Sequence, residues 1–175
     1  MIDITLDTWL ISDTHFGHMN MIKLCGRPPQ FNDIIHKNWV KRIKENDTVL
    51  HLGDLAMWRG PTRDLWHNFA AELPGIKYMI RGNHDELNVL LYESIGYKII
   101  PRFVKTIGER RVLFSHEPQE PDDWWEINIH GHIHNGAEHR QGERNFELGP
   151  EHINISIDVM DWKPIRLGEL LDRIN

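Results

Sequence analysis

No intramolecular disulfide can form in this chain of 175 residues, because its single cysteine, Cys25, has no second thiol to pair with. That excludes a disulfide-stapled secreted scaffold and suits a reducing compartment. Long hydrophobic runs are missing too: no apolar stretch reaches the roughly 20 residues a membrane-spanning helix needs. The opening Met1-Ile2-Asp3-Ile4 has neither a positively charged start nor a small-residue cleavage site, so no secretory signal is read and the cytoplasm is the expected compartment. Basic charge is scarce, with 20 Lys and Arg against 26 Asp and Glu and a formal charge of -6. A broad phosphate-neutralising face for nucleic acid is therefore disfavoured, while a local anion site stays open.

What is present is ordinary globular material, 40% hydrophobic and 26% charged. A chain of this length buries roughly 70% of the surface that it exposes when unfolded, enough for one domain over 1–175 with a rigid core. Seven tryptophans and nine prolines argue for definite packing and definite loops. The unusual quantity is histidine, with 12 residues whose placement decides their meaning.

The first half alternates short apolar runs with amphipathic stretches. Thr8 to Ser12 reads as a buried strand ending at Asp13, Thr48 to Leu52 as a second ending at Gly53-Asp54, and Lys77 to Ile80 as a third ending at Arg81-Gly82-Asn83. A helix is expected from about Asp33, capped by Asn32 or Asp33, with Ile35, Trp39 and Ile43 as its core face and Val40 alongside. Pro61 opens the next, whose stripe is Leu65, Trp66, Phe69 and Leu73, stopped by Pro74-Gly75. A third covers roughly Glu86 to Ile95. Beyond it Phe103 to Ile107 and Arg111 to Phe114 form a hairpin around Gly108-Glu109-Arg110, followed by strands at Glu126 to His130 and Ile153 to Val159. Leu167, Leu170, Leu171 and Ile174 give a short terminal helix. The whole reads as one α/β domain, parallel in its first half and more antiparallel in its second.

Five of the strand-like runs end in a potential metal ligand: Asp13 with His15, then Asp54, Asn83, His116, and His132 with His134. Ligands of open α/β sheets bind beyond the carboxyl ends of the strands, so these loop starts converge on one edge. Side chains two apart in an extended segment point the same way, which aims Asp13 with His15, and His132 with His134, at one region. Glycines precede Asp54, Asn83 and His132, where they permit sharp turns and leave room beside the ligand. Hard oxygen and imidazole nitrogen without thiolate suit manganese, iron or zinc. Seven ligands are too many for one such ion. Two divalent ions, less Asp13, Asp54 and a bridging hydroxide, leave about one positive charge for an anionic phosphate ester.

The segments Asp13-Thr14-His15, Gly53-Asp54, Gly82-Asn83-His84-Asp85, His116 and Gly131-His132-Ile133-His134 resemble, in order and spacing, the five motifs of calcineurin-like metallophosphoesterases. The stretch Ser12 to Asn20 is similar to the opening of small bacterial and phage phosphoesterases. The resemblance implies an α/β (α+β) fold, a four-layer sandwich of two mixed β-sheets flanked by helices. It implies two divalent metal ions, manganese foremost, with iron, zinc, nickel or magnesium as others. Asp13, His15 and His134 would hold the first, Asn83, His116 and His132 the second, and Asp54 would bridge both. The implied reaction is hydrolysis of a small phosphate mono- or diester by metal-activated hydroxide. His84 is then the general acid, and Asp85 the nearest carboxylate to orient it. A nuclease of the same fold and a non-catalytic metal-binding scaffold are the alternatives. The run from Gly53 to Gly60 lacks the second aspartate of the phosphoprotein phosphatases, which argues against a protein phosphatase.

His18 and Asn20 follow the first ligand pair closely enough to reach substrate. His51 and His130 lie within strands and read as packed or hydrogen-bonded core residues, while His36, His67, His139 and His152 read as surface or packing residues and Cys25 as inert. Trp124-Trp125 offers either an aromatic wall or simple packing. Arg140 and Arg144 offer a distal phosphate contact or a solvated loop.

Overall fold

The computed structural model describes residues 2–57, 60–85, 88–136 and 147–174, with every side chain among them except those of Arg63 and His67. Glu86, at the start of the third expected helix, and His139, Arg140 and Arg144 fall outside them.

Strand β1 (Trp9–Ile11) is buried on both faces. It pairs in parallel with β2 (Thr48–His51), Leu10 opposite Leu50. Strands β3 (Ile76–Ile80) and β4 (Tyr97–Ile100) extend the sheet in parallel. Strand β4 carries no strand signal in the sequence, because its buried, exposed and half-buried side chains show no clean alternation. Parallel pairing demands crossovers, supplied by α1 (Met21–Leu24), α2 (Phe31–Arg42), α3 (Arg63–Ala71) and α4 (Val89–Ser94). Strands β5 (Phe103–Ile107), β6 (Arg110–Phe114), β7 (Ile127–His130) and β8 (His152–Asn154) form a second sheet in that order. Strand β9 (Ile165–Arg166) then returns antiparallel beside β1, and α5 (Leu167–Asp172) follows.

The period-2 alternation of the strands separates two cores. Trp9, Ile11, Val49 and Met79 face the helices, meeting Phe31, Ile35 and Trp39 of α2 and Tyr92 of α4. Leu10, Leu50 and Ile80 face the second sheet, meeting Val112, Phe114 and Ile129. Two mixed sheets flanked by helices are the layers that the resemblance implied.

Several local expectations are corrected. Val40 is 48% exposed, because one residue beyond Trp39 turns it roughly 100° off the buried stripe. Leu65 is 60% exposed, and the inner face of α3 is Trp66, Phe69 and Ala70, with Leu73 buried just beyond. Asn32 lies inside α2, accepting a hydrogen bond from the Gly17 amide instead of capping the helix. In the second sheet only β5 and β6 are antiparallel, while β6, β7 and β8 run parallel. The run Ile153 to Val159 is not one strand. After β8 the Asn154 carboxamide accepts from both the amide and the hydroxyl of Ser156, and the turn leads into a 3-10 helix at Ile157–Val159. There the Ile157 amide donates to the Ser12 carbonyl, tying the end of β8 to the end of β1.

Candidate metal centre

The ends of β1, β2, β3, β6 and β7 place all seven predicted ligands at one edge, where the two sheets approach. Five of them, Asp13, His15, Asp54, His132 and His134, have φ between 48° and 70°. The expectation that each pair sits in an extended segment is thereby corrected: the chain curls through the left-handed region, so the pairs converge by tight turns. Asp and His tolerate that region better than branched residues, yet each such residue costs of order 1–3 kcal/mol. The surroundings hold it. The amides of Asp13 and His15 donate to the Gly53 and Asp54 carbonyls, and the Gly131 amide donates to the His116 carbonyl.

Two glycines keep the ligands close. A Cβ on Gly82 would stand 2.1 Å from Asp54 Oδ1, and one on Gly131 would stand 2.2 Å from Asp13 Oδ2. Only hydrogen at these positions lets the loops meet.

Asp13, His15 and His134 form one ligand group, their donor atoms within 4.8 Å of one another, and Asp13, Asp54 and His116 form a second. Asn83 Oδ1 lies 3.0 Å from His116 Nε2 and 2.9 Å from His132 Nδ1, and those two nitrogens are 3.2 Å apart. Asp54 Oδ2, a member of the second group, stands 3.3 Å from His15 Nε2 of the first and 3.5 Å from His116 Nε2 of its own. The Nε2 atom of His15 is buried without a hydrogen-bond partner. A buried polar atom left so is costly unless something else satisfies it. Buried oxygen and nitrogen donors facing one another around it fit divalent cations.

Burial alone would raise the Asp54 carboxyl, but the imidazole of His15 and then that of His116 outweigh it and hold the group below the usual carboxylate range. Asp85 behaves oppositely: burial, then the neighbouring Asp54 charge, push it up to about 6. Its carboxylate accepts from the amides of Gly82, Asp54 and Leu55 and from the Tyr92 hydroxyl. Asp85 thus clamps the loops after β2 and β3, and the expected orientation of His84 by Asp85 is corrected, since its hydrogen bonds go elsewhere. His84 is exposed, its ring centroid 5.4 Å from that of His15.

His18 joins the site, its ring 5.5 Å from His15 and its Nδ1 buried without a partner. Asn20 is exposed at the start of α1 with no side-chain cap bond. Two cavities flank the ligands. One of about 540 Å³ touches Asn83 and His116 and is lined by Arg81 and Arg102; the other, of about 380 Å³, touches His15, His18, His84 and His134. Neither is lined by Trp124 or Trp125. Trp125 is buried against His152 and Trp124 is 45% exposed, so the pair packs or faces solvent.

His51 and His130 are fully buried, as their strand positions suggested. The Thr14 hydroxyl donates to the Leu55 carbonyl, so it must accept from His51 Nε2–H, 3.0 Å away, and His51 Nδ1 accepts from the Gly53 amide. The ring thereby cross-links the two loops that carry Asp13 and Asp54.

The sequence profile of the calcineurin-like phosphoesterase family matches residues 6–162. The chain belongs to that family. An uncharacterized protein of Methanocaldococcus jannaschii is 31% identical, the alignment covering 95% of this chain and 90% of that one. The Gene 66 protein of Mycobacterium phage L5 is 28% identical, over 73% of this chain and 77% of its own. Among solved structures, a protein of unknown function from Aquifex aeolicus superposes with a TM-score of 0.73 at 28% identity, covering 96% of this chain and 98% of that chain. As a phosphoesterase of this family the chain is a hydrolase with candidate metal-ligand clusters, and among its described residues no helix is long and apolar enough to cross a membrane.

Two residues of this phosphoesterase's site escaped the sequence reading. Asp158, in the 3-10 turn after β8, lies with Oδ2 2.8 Å from His134 Nδ1. Arg27 is 2% exposed and donates from Nε and Nη2 to the two oxygens of Asp158 at 2.8 and 2.7 Å. It also donates to the carbonyls of Asp13 and Thr14. Arg27 opens no periodic element, and Asp158 falls inside an apolar run that reads as strand, so neither carries a spacing signal.

Proposed function

We propose that this protein hydrolyses a phosphodiester with two divalent ions, held by Asp13, His15 and His134 on one side and Asn83, His116 and His132 on the other, with Asp54 serving both. The observation that carries this reading is Asp54 Oδ2, within 3.5 Å of one histidine nitrogen from each group. Such ions supply Lewis acidity to phosphoryl oxygens and an activated water at neutral pH. Cavities on both sides of the ligands favour a diester over a monoester, because each leaves room for one ester group. In this reading His84 protonates the leaving oxygen, a role supported by its exposure beside His15. Manganese is the resident ion in this reading, as the family resemblance implies, and the oxygen and imidazole donors suit it alongside iron and zinc. The formal charge of -6 and single cysteine favour a small phosphoester over nucleic acid, and the cytoplasm as its compartment.

The test strips the protein with a chelator, restores manganese, nickel, zinc or magnesium, and compares turnover of a bis-aryl with a mono-aryl phosphate. Faster diester hydrolysis, greatest with manganese, is the expected result. Monoester preference would overturn the diester reading, and no turnover with any metal would favour a binding scaffold.

A further inference from the structure

We propose that Asp158, held by Arg27, is a positioning residue that fixes His134 with its proton on Nδ1, so that Nε2 faces a divalent cation shared with Asp13 and His15. The inference rests on the dinuclear reading of the site and extends it beyond the seven ligands.

A carboxylate that receives two Arg27 N–H groups is ionised and has only acceptor capacity left. The 2.8 Å contact to His134 therefore needs hydrogen on Nδ1. The opposite ring atom, Nε2, lies 3.9 Å from Asp13 Oδ1, on the side of the first ligand group. Asp158 itself is fixed, since both of its oxygens take a guanidinium N–H and the two side chains are 0% and 1% exposed. The guanidinium is held by the carbonyls of Asp13 and Thr14 and lies over the rings of Phe31 and Trp162 at 5.1 and 5.8 Å. One buried unit thus joins the backbone of the loop that bears Asp13 and His15 to the ring of His134. A carboxylate on the far nitrogen of a ligand histidine sets its tautomer and orientation and raises its basicity, and losing it typically costs 10–100-fold in metal affinity.

Removing Asp158 alone would leave Arg27 charged and buried, which is strongly destabilising by itself. Two double variants avoid that. Arg27→Met with Asp158→Asn removes both charges but keeps a carboxamide oxygen to accept from Nδ1–H. Arg27→Met with Asp158→Leu removes the acceptor as well. Metal-free protein is titrated with cobalt(II) and followed by its visible absorption, which reports nitrogen ligation. The Asn double variant is expected to keep the first-ion affinity within a few-fold of wild type, and the Leu double variant to lose 10–100-fold with an altered spectrum. Equal affinities in the two variants would overturn the inference. A wild-type protein that binds no cobalt would overturn the dinuclear reading and this one together. A measurement on wild type needs no variant to fold: nitrogen NMR of the zinc-loaded protein is expected to show His134 Nδ1 bearing hydrogen, and a zinc-bound Nδ1 would overturn the inference.

Discussion

The backbone N–H of His84 donates to Oδ1 of Asp54 at 2.9 Å. With that oxygen engaged by the loop after β3, Oδ2 is left to face His15 and His116, so the carboxylate cannot rotate without giving up that hydrogen bond. Asp54→Ala removes the oxygen that lies within 3.5 Å of both His15 Nε2 and His116 Nε2. Metal analysis of the purified variant is expected to find both ions lost, and retention of two tightly bound equivalents would refute the shared-ligand assignment.

His84 makes a distinguishable prediction because its ring is exposed beside the ligands without belonging to either group. A general acid contributes about a hundred- to ten-thousand-fold, but only where the leaving oxygen needs a proton. His84→Ala should leave metal content and folding unchanged and slow an alkyl ester severely. A nitrophenyl ester, whose leaving group is stable as an anion, should suffer far less. Equal losses on both esters would exclude the role.

Gly131→Ala tests the close approach of the two sheets. Its Cβ would fall 2.1 Å from Ser12 Oγ and 2.2 Å from Asp13 Oδ2, so the loops after β1 and β7 must part. Overpacking of this kind costs about 1–3 kcal/mol, and here the displaced group is the candidate ligand Asp13. A lower melting temperature together with weaker metal binding is expected, and unchanged metal affinity would show that the gap closes elsewhere.

His51 gives the fold a pH dependence of known sign. Burial pushes its pKa down from the ordinary 6.5 to about 3, and protonating Nδ1 would set an N–H against the Gly53 amide that it now accepts from. The ring stays neutral in the folded state while the unfolded chain takes up a proton below 6.5. Its stabilising effect is therefore complete above pH 6.5 and is lost progressively as pH falls toward 3. One proton is worth about 1.4 kcal/mol per pH unit. Urea unfolding of His51→Gln between pH 6.5 and 5 should show a slope shallower by about one proton than wild type. Identical slopes would mean that His51 titrates alike in both states.

The clustering of the seven candidate ligands was legible because they stand at the ends of apolar strands, and strand ends are where an α/β sheet presents its loops. Which way each side chain turns was not. Alternation predicts extended pairs, whereas Asp13, His15, His132 and His134 take positive φ, held by hydrogen bonds from chain segments remote in sequence. The same limit hid Asp158, since its partner Arg27 lies 131 residues away and no local pattern joins them. Val40 and Leu65 show the complementary error, apolar residues placed on a buried stripe that their own helices turn toward solvent.

The pairing of β9 with β1 sets Ile165 beside Leu10. While the chain is being synthesised, β1 emerges before β2 to β8 and must wait for all of them before that neighbour exists. Until then its outer edge offers unpaired amides and carbonyls along Trp9–Ile11, a template that another strand could take. Closure over such a long stretch also makes for slow folding. A nascent or truncated chain ending before Ile165 would therefore expose that edge to association between molecules, and the last two-residue strand acts as its guard.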